Sequence, residues 1–271
     1  MKKYIVIGKN VGETPLSAME KARETETALA GVPLTYAGRL DPMASGKLLV
    51  LIGDECKNQT AYHSLDKEYE FEILFGFESD TGDVLGITTM DSPLKTFPQK
   101  EILSAAKSII GVHTLPYPHF SSKTVQGKPL FLWTLENRLD EIKIPTIEAQ
   151  VFKINLLTVR TEPISKVIEH ILQKINLIPQ ITDQNKQLGR DFRRDEIRVQ
   201  WNKLKVSVKD QPVTVAKFRI VVSSGTYIRS LAPLIAQKLG TTGLAYSIHR
   251  TKIGTFWNFG NGWGFWKRLY S

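Results

Sequence analysis

The stretch "KEYEFEILFGF", residues 67 to 77, alternates without a break. Tyr69, Phe71, Ile73 and Phe75 fall on one side, and Glu68, Glu70 and Glu72 on the other. A period of two belongs to an extended chain, whose successive side chains point to opposite faces. Four large apolar groups on one face require a cover, so the segment predicts a half-buried strand within a larger sheet. Further strands are expected over "KYIVIG", 147–159 and 213–223, the last two rich in β-branched residues.

Helices are expected between them. Thr14-Pro15 has the form of an N-cap followed by Pro at the first helical position, with Gly31 as the closing residue. Residues 98–111 place Ile102, Ala106, Ile109 and Ile110 on one helical stripe and end in Gly. From 162 to 206 the pattern changes. Ile164, Val167, Ile168, Ile171, Leu172 and Ile175 recur at helix spacing between Pro163 and Pro179. A second helix is expected around Ile197, Trp201 and Leu204. Lys186, Arg190, Arg193, Arg194 and Arg198 cluster at the loop between the two. These cations fit phosphate contact and a solvated helix surface equally well.

With 271 residues and 42% apolar content, the chain can build one large core or two small ones. Its 36 Lys and Arg against 27 Asp and Glu give a net charge of +9, which suits a polyanion or an anionic surface. Cys56 is the only cysteine, so a disulfide framework is excluded. No stretch approaches the ~18 apolar residues of a membrane span. The apolar run Tyr4 to Ile7 is too short for a signal peptide, and a cytoplasmic location is the expectation.

Several chemistries fail on spacing. No two of the five histidines stand four apart, so no metal site is expected. "ASGKLL" lacks both the upstream Gly and the following Ser or Thr of a phosphate loop; Asp41 and Leu48 stand there instead. Ser45 and Ser224 show no sign of an adjacent histidine, so Ser-His-Asp chemistry is not expected. Asp41-Pro42 alone reads as a turn.

Four separated blocks change that reading. "LTYAGRLDPMASGKLLVLIGDECK", 34 to 57, resembles the segment around the catalytic aspartate of the TruB family of pseudouridine synthases. Gly38, Leu40, Asp41, Pro42, Ala44, Gly46, Gly53 and Lys57 match its pattern. Residues 67–86 resemble the family's Lys-x-Tyr strand and Asp-Thr-x-Asp-x-x-Gly loop. Residues 115–131 resemble its Pro-rich segment, and 223–256 its Gly-Thr-Tyr-Ile-Arg and Arg-Thr-x-x-Gly stretches.

The resemblance implies an α+β fold of the pseudouridine-synthase type: a mixed, largely antiparallel sheet flanked by helices. It implies a single catalytic domain over 1–271 with a helical insertion at 162–206. It implies isomerisation of uridine to pseudouridine in RNA, most often U55 in the T-loop of tRNA. Asp41 would be the catalytic carboxylate, paired with Arg229. Tyr69 would stack on a flipped base, Tyr227 would line the pocket, and Lys57 and Ile248 would complete it. No cofactor, metal, membrane or protein partner is implied. The alternatives are the same chemistry on another RNA, or an RNA-binding or RNA-folding protein that keeps the fold without catalysis.

The chain departs from the pattern in places. Tyr36-Ala37 replaces the usual His-Thr, which passes the His role of holding the flipped RNA to Tyr36. Arg39 stands where a small residue is common. Pro233 lies in the helix after the Gly-Thr-Tyr-Ile-Arg block, where it predicts a kink or a restart. The C-terminal PUA-type domain of many relatives is not expected here.

Overall fold

The computed structural model describes residues 2–91, 93–179, 193–207, 210–260 and 262–271. In chain order the strands begin with β1 (Tyr4–Lys9), β2 (Leu34–Ala37), β3 (Ala44–Ile52), β4 (Asp66–Phe75), β5 (Phe77–Ser79), β6 (Thr88–Met90) and β7 (Gly111–Pro116). There follow β8 (Thr124–Val125), β9 (Lys128–Pro129), β10 (Thr146–Pro163), β11 (Pro212–Val222), β12 (Gly243–Gly260) and β13 (Trp263–Leu269). Among the described residues the α-helices are α1 (Pro15–Thr25), α2 (Gln99–Lys107), α3 (Leu130–Leu135), α4 (Ile164–Asn176), α5 (Arg194–Ser207) and α6 (Ile228–Gln237).

Nine strands form one sheet in the order β1-β3-β12-β4-β11-β10-β7, with β2 beside β3 and β13 beside β12. Every pairing in it is antiparallel except β3 with β12. The α+β class and the mixed, largely antiparallel sheet are therefore as expected. β5 with β6, and β8 with β9, form separate hairpins.

The alternating segment is β4, at the centre of the sheet between β12 and β11. Phe71, Ile73 and Phe75 are fully buried. They join Leu231, Ala232, Ile235 and Ala236 of α6, and Ile102, Ala105 and Ala106 of α2, in one core. Burying each of the larger apolar groups contributes about 1.5–3 kcal/mol. The glutamate face is not left to water. Glu72 accepts from Ser247 (2.7 Å) and pairs with Arg160, while Glu70 pairs with Lys217 and Arg219, both at 2.7 Å. Glu68 accepts from Thr251 (2.8 Å) and pairs with Lys252 (3.1 Å). The acidic stripe is one rail of a cross-strand ion-pair ladder.

Thr14 caps α1 as expected, exchanging hydrogen bonds with Ser17. The helix ends at Thr25, however, and a 3-10 turn over Thr27–Leu29 separates it from Gly31. α2 likewise stops at Lys107, because Gly111 already opens β7. Helices do form at Ile164–Asn176 and Arg194–Ser207, with Trp201 fully buried. Lys186 and Arg190 lie outside the described residues.

One detail of topology matters for the site. β3 carries β1 on one edge, while β12 (at Ala44–Gly46) and β2 (at Leu49–Ile52 side) share the other. The chain leaving β2 must therefore turn through residues 38–43 in the notch between β2 and β12.

Candidate active site

Asp41 stands in that notch. Gly38 takes a φ of +81°, a left-handed value that glycine adopts freely. Two buried cations then grip the main chain of the turn. The Lys9 amine donates to the carbonyls of Asn10 (3.0 Å), Asp41 (3.1 Å) and Ala44 (2.6 Å). The Arg250 guanidinium donates to those of Gly38 (3.0 Å), Arg39 (3.3 Å) and Lys47 (2.7 Å). Carbonyl dipoles thus replace the water each cation gives up. Burial presses Lys9 down to about 8, against the pull of Asp41 and Glu13. Gly46 has no room for a side chain: a Cβ there would fall 2.3 Å from the Arg250 carbonyl oxygen.

The Asp41 side chain is 39% exposed, and its Oδ2 accepts from Arg229 Nε at 2.8 Å. Arg229, whose side chain is 4% exposed, sits in the first turn of α6. Its Nη1 donates to the Thr81 carbonyl (2.7 Å) and its Nη2 to that of Phe120 (3.3 Å). Its Nε also lies 3.5 Å from Asp83 Oδ2. Burial works against its charge, but Asp41 and Asp83 outweigh that and hold the guanidinium above its ordinary value. Pro233 neither breaks nor restarts α6. It has no N–H for the Arg229 carbonyl four residues back, and Gly82 packs there, where a Cβ would meet that oxygen at 2.8 Å.

Asp83 is a second carboxylate of this cluster. Its Oδ1 accepts from Thr81 Oγ1 (2.8 Å) and the Leu85 amide (2.9 Å). Burial raises it to about 6; Arg229 opposes the rise and Asp41 adds to it. Asp41 is thus the accessible acid of the pair and Asp83 the buried one.

Tyr69 and Ile248 are buried in the same core as Leu40, Met43 and Ala44. Tyr227 precedes α6, its ring 6.0 Å from that of Tyr117 and 5.9 Å from the Arg229 guanidinium carbon. Burial raises its phenol, and nearby Asp41 adds to the shift. The structure thus brings Asp41, Arg229 and Tyr227 together, and buries Tyr69 and Ile248 in the core that Leu40 and Met43 of the turn enter.

Two expected residues are elsewhere. The Lys57 side chain is 81% exposed and pairs with Asp54 at 2.8 Å. Tyr36 packs with Ile5, Ile7 and Leu34 against Ala18 and Met19 of α1. A second buried lysine near the turn, in addition to Lys9, is Lys67, from the Lys-x-Tyr block; a Cβ on Gly38 would lie 3.6 Å from its Cε. Burial and Arg250 press Lys67 down to about 8, and its amine donates to Ser224 Oγ (3.2 Å) and to the Leu65 carbonyl.

Asp83, Arg250 and Lys67 each fall inside a block already singled out, so the signal was present without a role attached. Lys9 has no such signal. The structure also corrects one exclusion: Ser45 Oγ lies 2.9 Å from His249 Nδ1, joined by the parallel β3–β12 register. Among the described residues no carboxylate hydrogen-bonds His249, so the pair lacks the third group of a triad.

Fold and cluster together define an α+β protein whose central sheet presents one accessible carboxylate, gripped by a buried arginine, next to an apolar core. Residues 31–174 match the family profile described as TruB family pseudouridylate synthase (N terminal domain), and the chain belongs to that family. It is 26% identical to tRNA pseudouridine synthase B of Caldicellulosiruptor saccharolyticus, over 94% of this chain and 69% of that one. The protein of that name from Caldanaerobacter subterraneus subsp. tengcongensis is 32% identical over 45% of this chain and 42% of its own length. For that of Treponema denticola the figures are 25%, 93% and 60%. The chain thus spans between 42% and 69% of these relatives. A solved chain from a Cbf5-Nop10-Gar1 complex shares the fold, with a TM-score of 0.53 at 17% identity, over 93% of this chain and 48% of that one.

Proposed function

We propose that the chain is an isomerase that converts uridine to pseudouridine in RNA, with U55 of the tRNA T-loop as its target. The observation that carries this reading is the Asp41–Arg229 pair: a half-exposed carboxylate fixed at 2.8 Å by a buried guanidinium. Family membership and the names of the relatives support the choice of reaction and RNA.

The reaction breaks the C1′–N1 bond and makes a C1′–C5 bond. N1 gains the proton that C5 gives up, so composition and oxidation state are unchanged and no cofactor is called for. Asp41 attacks C1′, attacks the base or assists elimination through C2′. Each route needs an ionised carboxylate, and the buried Arg229 guanidinium holds it at 2.8 Å. The guanidinium is planar and permanently charged, so it also fixes the direction of the carboxylate. The base must leave the RNA stack to reach Asp41. Tyr69 and Tyr227 supply aromatic surface for it, and Ile248 an apolar wall.

The single sheet from Tyr4 to Leu269 supports reading the chain as one catalytic domain, with the insertion expected at 162–206 beginning at Ile164, after β10, and preceding β11. Among the described residues no helix is long and apolar enough to cross a membrane, and a tRNA substrate suits a cytoplasmic protein.

The test is to incubate the protein with tRNA and map pseudouridine. Product at U55 with wild type and none with Asp41→Asn is expected. Equal product from both would remove Asp41 from the chemistry. Product at another position would move the target, and tight binding without product would leave an RNA-binding protein of this fold.

A further inference from the structure

Two polar contacts of α5, and the arginine just before it, run toward the loop that holds Arg229. Arg193, just before the helix, grips Asp80 with both nitrogens of its fork, Nη1 to Oδ2 at 2.6 Å and Nη2 to Oδ1 at 2.9 Å. The same guanidinium lies 4.4 Å from the centre of the Phe120 ring. Gln200 Nε2 donates to the Thr88 carbonyl (2.8 Å), and the Trp201 indole N–H to that of Val84 (3.1 Å). The Trp201 ring packs 5.9 Å from Phe77. One helix and the arginine before it thus touch β5, the loop 80–87 and β6.

Those are the segments on which Arg229 depends. Thr81 and Phe120 give it two carbonyls, and Asp83 lies 3.5 Å away. β5 and β6 share only three residue pairs, and they pair with each other alone among the strands. On the inner side the loop is tied to β12 by the Ala245 amide and the Gly82 carbonyl at 2.9 Å. The outer side is held by α5.

We infer that α5 and Arg193 are a positioning device for the catalytic pair: they set the Asp80–Asp83 loop and Phe120, and these aim Arg229 at Asp41. The rival role, a phosphate grip, does not match where the arginines point. Arg193 is taken by Asp80. Arg194 Nη1 donates to the Ile178 carbonyl (2.8 Å), and Arg198 binds Asn176 Oδ1 through two nitrogens (3.0 and 2.6 Å). Arg193 acts through the loop and touches no reacting atom.

The inference rests on the proposed isomerase reading, so its test has one arm that needs no activity. Hydrogen exchange of the backbone amides of residues 80–87 is compared in wild type, Arg193→Ala and Gln200→Ala. Faster exchange there in both variants, with the core strands unchanged, is expected; unchanged exchange overturns the inference even if the wild type makes no pseudouridine. The second arm measures single-turnover pseudouridine formation at saturating tRNA, and tRNA affinity against salt. Arg193→Ala should slow turnover about tenfold, with Kd within about twofold and an unchanged salt slope. Arg193→Lys keeps the charge without the fork and should fall between. Full turnover in Arg193→Ala overturns the inference. A loss confined to Kd, with a shallower salt slope, also overturns it and makes Arg193 a phosphate ligand.

Discussion

Two segments meet at Arg229, and they are held from different sides. The Asp41 turn is fixed from inside the sheet, through six of its own and its neighbours' carbonyl oxygens, by the buried cations of Lys9 and Arg250. The Asp80–Asp83 loop touches the main sheet at Ala245 of β12 and is clasped on its other side by α5 and Arg193. A grip on main-chain oxygens does not read side chains. Residues 36, 37 and 39 can therefore depart from the family pattern while Asp41 stays in place. The clasp on the second loop also takes main-chain oxygens, of Val84 and Thr88, but its Arg193 fork needs the Asp80 side chain, and its donors come from the segment between β10 and β11.

The comparison breaks first at Arg250. Replacing it with Met leaves the carbonyls of Gly38, Arg39 and Lys47 without their donor inside the fold. Arg250→Met should lower the free energy of unfolding by about 3–5 kcal/mol, read from urea denaturation. Arg193→Ala, which opens a partly exposed pair, should lower it by about 1 kcal/mol. Equal losses would show that the two segments are not held differently.

Acid sharpens the same contrast. Asp83 is raised from its ordinary 3.8 to about 6. The folded protein therefore keeps that proton at pH values where the unfolded chain has released it. The resulting penalty is absent below about pH 4, grows as pH rises, and is complete above about 6. Asp83→Asn removes it. The stability of this variant relative to wild type should rise by about 2–3 kcal/mol between pH 4 and 7. Lys9, pressed down to about 8, stays charged throughout that window, so its grip on the Asp41 turn adds no slope there. A flat difference between Asp83→Asn and wild type would show that Asp83 keeps its charge across the range.

The contrast also governs what the amino-acid order discloses. β4 was legible because a covered sheet face needs period two, and Tyr69 to Phe75 have it. Asp41, Arg229, Tyr227 and Ile248 were legible only through the resemblance of four separated blocks to the TruB family, since local rules alone make Asp41 a turn residue. The partner of the glutamate stripe was not, because Arg160, Lys217, Arg219 and Lys252 come from three other strands, and register decides which glutamate each meets. Lys9 was hidden for a related reason: its partners are carbonyls, which every residue carries. The arginines near α5 fitted phosphate contact and a solvated surface equally, because nothing local shows that Asp80 and Asn176 receive them.

Lysine gives the smallest effect and the finest discrimination. Lys57 and Lys67 both stand in matching blocks, and only burial tells them apart. Lys57 lies in the 3-10 segment Gly53–Tyr62, fully exposed, with Asp54 three residues before it as its partner. Such a pair is screened and contributes little. Lys67 lies beside Gly38, with its amine donating to Ser224 and Leu65. Lys57→Ala should therefore leave single-turnover pseudouridine formation and the urea midpoint within about twofold and measurement error of wild type. Lys67→Met, which leaves the same apolar stem without the charge, should reduce the rate more. If Lys57→Ala proves the more damaging of the two, the lysine that serves Asp41 is reached from the surface, and the turn is not governed from within the sheet.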